Sequence, residues 1–572
     1  MIRFHQAVWL LVAMLAVALV GGSGCDTKKP TATTGPANSG PIKDAEVSAL
    51  AQLDTRPDLA TCRTALQQLD NLDSAHEQPV LSESELGHLT TFLRLTPAEV
   101  ADISHATFSQ SDAAYLEECL LIRAGIRSLR IDSRQPLERA RLGFDWACRM
   151  VYVDHRAQWP ANPWTTLQAG SGVALSRAYV ILATWQQLGF DGCLVGPPGL
   201  KTSRSLTVEG PGLPIKYAPV RACGVKIGSD LFLFDHAAGQ AIATPDGKGV
   251  LTLAQAKASP EAVKSLAGAD EVKSWQPFLA PSLASLSRRM EWLEKLKPGG
   301  TGINLFVDVR ALRSQFAADQ PGQPIDGWNP DGDQHSATRV LGRFTAEDKD
   351  ARTNTPTLRE QFRINMTPLE YLANFKLSQE AAMQLQSAFV QMFEGLRYSL
   401  NSPRDAILRG HFSDATTYLD QKKGELENAR VRSEQDRTLQ KDFDAWAVEM
   451  QRLAARMIRA RDRDPDALPE ATQEFERFRT APKNRDIVGA YILGMASRPM
   501  GAEVHFLLAT CVHERAERAQ LVDSDRAAAN WENARQWWDR YLIASNQALT
   551  PFPARDNHAR ALLARCQQFQ PK

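Results

Sequence analysis

Only one stretch of this sequence could enter a bilayer, and it is too short to cross one. Ala7 to Val20 is an unbroken apolar run, and its fourteen residues fall short of the roughly 20 that a spanning helix needs. Arg3 precedes the run, and the small residues Gly21, Gly22, Ser23 and Gly24 follow it, ahead of Cys25. A short positive start, an apolar middle and a small-residue end make a secretory signal rather than a structural element. No later run is long enough to span.

A Cys directly after the small residues resembles a bacterial lipoprotein signal, with Gly22 where such signals usually carry Leu. The resemblance implies that residues 1–24 are removed and that the Cys25 thiol is acylated. The membrane is then reached through that lipid, with the bulk of the chain in the bacterial cell envelope, outside the cytoplasm. The alternative is an ordinary signal peptide with a free Cys25. Residues 25–44 are rich in Thr, Gly, Pro, Lys and Ser, a flexible tether with nothing to pack.

Length and charge limit the rest. A chain of 572 residues suggests roughly two to four domains. Its 66 basic and 66 acidic side chains cancel, which removes the electrostatic case for nucleic acid. Eight Cys are too few for a disulfide scaffold. With Cys25 acylated, an odd number remains, so at least one thiol is free or intermolecular. Cys193–Cys223 and Cys511–Cys566 are the candidate bridges, with buried free thiols as the alternative for Cys193 and Cys223.

Residues 45–135 read as a helical region. Thr96-Pro97-Ala98-Glu99 spells a capping box, with Thr96 as cap, Pro97 in the first turn and Glu99 reaching back. Tyr115, Leu116, Cys119 and Leu120 follow at helical spacing. Residues 136–260 mix helix and strand, and Leu231-Phe232-Leu233-Phe234 reads as a buried strand. Residues 261–356 form a mixed linker or subdomain. In it Ile303 to Val309 alternates like a strand, and the Pro, Gly, Asp and Asn of 317–336 mark a loop. Residues 357–572 read as helices. Phe443, Trp446, Met450, Leu453 and Met457 step by three and four into one stripe for a neighbouring helix. A Gly turn at Leu408 to Ala415 precedes a further helix. The pair Glu503–Arg518 and Ala527–Tyr541 weakly resembles tetratricopeptide hairpins, without a clean repeat period.

The stretch Trp164 to Gly196 carries the most chemistry. Gly172-Val173-Ala174 forms a turn opening a helix, Ala178 lies four residues on, and Leu188-Gly189-Phe190 leads into Cys193-Leu194-Val195-Gly196. Val225-Lys226-Ile227, a turn at Gly228-Ser229 and Leu231 to Asp235 then read as a hairpin. This pattern resembles the core of the transglutaminase-like, papain-related superfamily over roughly 120 residues. There, a Cys at a helix N-terminus attacks an amide carbonyl, helped by a His that an Asp orients. Carried over to this chain, the nucleophile position is Ala174, the base position falls near Val220, and Asp235 alone matches. The resemblance thus implies a degenerate triad.

The fallback nucleophiles are Cys193 and Cys223, both on strands and away from the activating helix terminus. His236 is adjacent to Asp235 and should point to the other face, which makes it a solvent or turn residue. Asp235 itself is placed to cap the turn Ala237-Ala238-Gly239. No metal-site motif is present. His505, Cys511 and His513 lie close in sequence and read as a structural helix with surface His. Trp531, Trp538 and Tyr541 share a helical stripe. They read as helix-pair packing or, functionally, as partner anchors.

The expected fold class is α+β, helix-dominated. A degenerate transglutaminase-like core is flanked by an N-terminal helical region and a C-terminal helical, tetratricopeptide-like region. The expected function is a non-catalytic peptide- or protein-binding or scaffold module of the envelope. It calls for no cofactor, no metal and no nucleic acid, and its partner is an envelope protein or peptide. One alternative is an amidase, acyltransferase or peptidase using a relocated Cys. The other is a self-associating structural protein.

Overall fold

The computed structural model describes residues 51, 53, 58–72, 80–154, 161–198, 220–264, 266, 269–296, 302–319, 325–328, 399–547 and 553–569. The signal, Cys25 and the tether lie outside the described residues, as does 357–398 of the C-terminal helical region. An α+β unit lies within Ala37–Leu358, and a helical unit lies within Arg359–Ile407 and His411–Lys572. Among the described residues helix dominates, with a small six-stranded mixed sheet and a separate two-stranded parallel pair. Among the described residues no helix is long and apolar enough to cross a membrane.

The α+β unit begins with helices α1 (Leu59–Leu72), α2 (Glu83–Leu93), α3 (Pro97–Ser104), α4 (Gln110–Leu129) and α5 (Pro136–Met150). The capping box at α3 forms as its sequence dictates: Thr96 Oγ1 accepts from Glu99 N, and the Glu99 carboxylate accepts from Thr96 N at 2.8 Å. Next come β1 (Tyr152–Val153), α6 (Pro163–Ala169) and β2 (Ser171–Gly172), with β1 and β2 paired in parallel. Helix α7 (Ala174–Gln187) leads into β3 (Asp191–Gly196), β4 (Ala222–Ile227), β5 (Asp230–Asp235) and β6 (Gln240–Ala241). These four strands are antiparallel, and Gly228, at φ +62°, sits in the tight β4–β5 turn. Helix α8 (Leu253–Ala258) and β7 (Gln276–Leu279) follow, then α9 (Arg288–Lys295), α10 (Val309–Asp319) and β8 (Asp326–Gly327). The sheet order is β6-β5-β4-β3-β7-β8, with β7 antiparallel to β3 and parallel to β8.

The boundaries drawn from sequence after residues 135 and 260 are not breaks in this packing. One core joins Leu89, Leu93 and Ile103 to Cys193, Leu231 and Leu233 and to Trp275, Val309 and Phe316. A second joins Leu66, Tyr115 and Cys119 to Met290, Leu293 and Leu305. A buried ion pair reinforces the second: Arg289 Nε meets Asp112 at 2.6 Å, while its Nη1 donates to the carbonyls of Asp102 and His105.

Two expectations for this region need correcting. Residues 302–308 belong to no strand or helix, and Val309 starts α10. Side chains take the amides a ladder would have used. Glu294 accepts from Leu305 N and Phe306 N, and Gln187 accepts from Asn304 N. Within the expected loop 317–336, Asp326–Gly327 instead pairs with β7 as β8.

In the helical unit, α11 (Asn401–Arg409) ends at Gly410, whose φ of +83° makes the turn into α12 (Phe412–Gln435). Then come α13 (Arg437–Arg463), α14 (Leu468–Thr480), α15 (Pro482–Val522), α16 (Ser524–Gln547) and α17 (Pro553–Gln568). The α13 stripe packs as its spacing predicts, with Met450 and Leu453 against Phe475 of α14. The expected hairpin at 503–541 is present as α15 and α16, with longer arms.

Candidate functional site

Ala174 is the first residue of α7, but Gly172 is not in a turn: it ends β2 opposite Val153, and the left-handed residue of this connection is Gly170 at φ +69°. Gly172 has a reason to be Gly: a Cβ there would stand 2.7 Å from Ser176 Cβ. The helix terminus that could favour a thiolate therefore exists, and it carries a methyl group. Val220 lies just before β4 and is half-buried. Asp235 ends β5, where its Oδ1 accepts from Ala237 N at 2.8 Å and Ala238 N at 2.9 Å. Its carboxylate caps a turn.

The side chain that fills this neighbourhood is Arg177, one turn into α7 and 4% exposed. Its Nε donates to His236 O at 2.6 Å, Nη2 to Ala237 O at 2.5 Å and Nη1 to Val151 O at 3.3 Å. It ties the start of α7 to the end of β5 and to the residue after α5. Gly239 makes room for it. At φ +77° it avoids backbone strain, and its added Cβ would already touch both Arg177 nitrogens at 3.5 Å.

His236 is in the turn, but it is buried rather than solvent-facing. Burial first, and the Arg177 charge second, push its imidazole down to about 3. It is held neutral and unsuited to gain a proton as a base near neutrality. Cys148, near the C-terminal end of α5, also lies beside Arg177 and Gly239. Burial pushes its thiol up to about 12, and a helix C-terminus disfavours a thiolate.

Cys193 and Cys223 are fully buried, and burial raises both thiols. The two do not form the candidate bridge. Cys193 stands opposite Gly224 and Cys223 opposite Leu194, so the thiols leave the sheet on opposite faces. Cys511 and Cys566 are likewise free and buried.

The helical unit does hold a Cys beside a His. Cys566 Sγ lies 3.5 Å from His513 Nδ1, which also accepts from Trp538 Nε1 at 3.2 Å. His513 Nε2 is 3.4 Å from Glu517 Oε1, outside good hydrogen-bond geometry. The expectation of a surface His fails here, since His513 is 1% exposed. Burial pushes the Cys566 thiol up to about 12. Among the described residues no group of His, Cys, Asp and Glu could hold a metal ion.

Trp531, Trp538 and Tyr541 are also fully buried. Trp531 stacks on Phe569, Trp538 meets Phe506 edge-on, and Tyr541 donates to Asp556 at 2.6 Å. These side chains are spent on helix packing and present nothing to a partner, which corrects the anchor reading.

The open cleft of the α+β unit lies elsewhere, with a volume of about 300 Å³. Its walls are the later turns of α7, the start of β3, the segment after β7, the stretch 304–308 and the start of α10. None of Ala174, Val220 and Asp235 lines it. Sequence reasoning missed both features of this unit. Arg177 had a local signal, a lone charge in the otherwise apolar Ala174 to Trp185 helix. The cleft had none, because its lining comes from segments far apart in the chain. In comparisons with known proteins, no family model, no curated protein and no solved structure matches this chain.

Proposed function

We propose that the chain is a non-catalytic binding or scaffold module. In this reading it is an envelope lipoprotein held by an acylated Cys25, and its α+β unit is a degenerate transglutaminase-like core. The single observation that carries the non-catalytic part is Arg177. Its guanidinium occupies the region between the α7 terminus and the end of β5 and is spent on three carbonyl oxygens. Position 174 carries a methyl group, position 220 an aliphatic side chain, and the carboxylate at 235 is engaged in capping a turn. Acyl transfer through a thiol needs a nucleophile, a base and an oriented proton path, and these positions supply none. The order of a helix starting at Ala174 and then an antiparallel hairpin ending in Asp235 agrees with the family resemblance.

The test uses the full chain purified in detergent. Incorporation of a dansylated alkylamine into a glutamine-containing protein, and release of ammonia, should stay at the blank level with or without iodoacetamide. Turnover that disappears on alkylation overturns the reading in favour of a relocated Cys. The anchor is tested separately. Cys25→Ser should abolish incorporation of a labelled fatty acid, and retained label would remove the lipoprotein part.

A further inference from the structure

The helical unit holds two packed parts that meet at one level. Met450 and Leu453 of α13 close on Phe475 of α14 in an apolar cluster of their own. Phe443 of α13 stacks on Tyr491 of α15, with ring centroids 3.7 Å apart. Helices α13 and α14 and the start of α15, Pro482–Leu493, thus form an arm. The later part of α15 packs elsewhere. Phe506 meets Trp538 of α16 edge-on, and His513 meets Trp531 of α16 and Cys566 of α17. The Arg518 guanidinium stands 4.4 Å from the centroid of the Phe412 ring of α12. The ion pairs Arg555–Glu503 and Arg565–Glu517 fasten α17 to the same stretch. Helix α12, Met500–Val522, α16 and α17 thus form a base.

The chain crosses between arm and base twice, and both crossings are built to bend. Asp436, at φ −82° and ψ 89°, is the one non-helical residue between α12 and α13. Its Oδ1 accepts from Thr438 N and Leu439 N at 3.0 Å, so α13 is capped as a separate helix. The second crossing lies inside α15, where Pro499 interrupts the hydrogen-bond ladder. It has no N–H for the carbonyl of Met495, and its ring crowds that carbonyl. Gly494 and Gly501 flank it, and Gly weakens a helix interior. Ser497 Oγ donates to Gly494 O at 2.5 Å, a side-chain bond into the backbone of the kind that bends helices.

The two crossings lie side by side. A Cβ on Gly494 would run into Ser433, in the last turn of α12, and Arg498 pairs with Glu434 at 2.7 Å. Two pliable points at one level define an axis, which is the geometry of a hinge. We propose that the arm swings on the base about the paired joints at Asp436 and Gly494–Pro499. This goes beyond the binding-module reading and does not depend on it.

The test is pulsed electron–electron resonance on the full chain in detergent, with spin labels on introduced cysteines. The chain without them, labelled in parallel, is the blank, since the described native thiols are buried. Asp466→Cys, at the far end of the arm, is paired with Ala564→Cys on α17. Thr417→Cys with Ala564→Cys is the control pair within the base; all three positions are exposed. The arm pair should give a distance distribution at least about twofold wider than the control pair. Pro499→Ala restores the missing donor and should narrow the arm pair alone. Hydrogen exchange of the unlabelled wild type needs no variant. Amides of 495–503 should exchange about tenfold or more faster than those of 506–516, further along the same helix. An arm pair as narrow as the control overturns the proposal, as does a width that Pro499→Ala leaves unchanged. Even protection along α15 overturns it too.

Discussion

Cys193 and Cys223 sit one step out of register across the β3–β4 ladder and send their thiols to opposite faces of the sheet. Cys193 joins the core of Val195, Leu231 and Leu233, while Cys223 faces the side of Leu194 and Phe234. Each behaves as a small apolar side chain. A thiol-reactive dye should therefore leave both unlabelled in the native chain and label both in denaturant. Non-reducing electrophoresis after mild oxidation should show no shift. Rapid native labelling, or an oxidised band, would contradict the placement.

Arg177 is the second target. Arg177→Met removes the donors to Val151, His236 and Ala237 and leaves the carbonyls of the buried Val151 and His236 unpaired. Each such loss costs roughly 1–3 kcal/mol, so the variant should lose about 3 kcal/mol or more. Arg177→Lys keeps the charge but not the fork and should recover only part. Urea midpoints for the three proteins decide this, and a Met variant as stable as the wild type would remove the clamp.

His236 makes stability depend on pH with a definite sign. Its folded imidazole is held down to about 3, below the roughly 6.5 of an unfolded His. Below 6.5 the unfolded chain takes a proton that the folded chain refuses. This contribution is therefore intact above pH 6.5 and falls as the pH drops toward 3, by about 1.4 kcal/mol per unit. His236→Leu should flatten the pH dependence between 6.5 and 4.5 relative to the wild type. Parallel curves would show that His236 does not carry it.

The Cys566–His513–Glu517 grouping resembles a catalytic constellation in order, but burial makes it inert. The raised thiol and the shared Nδ1 lone pair leave no thiolate ready to react. Mass spectrometry of the native chain after brief iodoacetamide treatment at neutral pH should find Cys566 unmodified. Modification faster than that of a free thiol would reopen the enzyme reading in this unit.

The legible parts of the fold were those with local causes. Thr96 and Glu99 cap α3 because both partners lie within one turn. Ala174 opens α7 straight after β2, where Gly172 leaves room for Ser176 of the first turn. The α13 stripe packs because its spacing is its own evidence. What was not legible depends on distant partners. Ile303 to Val309 has the alternation of a strand, yet Glu294 and Gln187 satisfy its amides from elsewhere. His236 reads as exposed until Arg177 closes over its carbonyl. The cleft is lined by segments far apart in the chain, so no motif could have announced it.

The sheet order β6-β5-β4-β3-β7-β8 puts strands made last beside the strand made first. β3 has one flank covered by β4 soon after synthesis, and its other flank waits for Gln276–Leu279. β7 in turn waits for Asp326–Gly327, its parallel neighbour. Until β7 is made, β3 offers an open hydrogen-bonding edge of the kind that invites pairing with other chains, and until β8 is made β7 offers the next one. Non-local pairings of this sort also form slowly. A nascent copy is thus a sticky molecule, and the danger passes only when the last described strand of this sheet arrives.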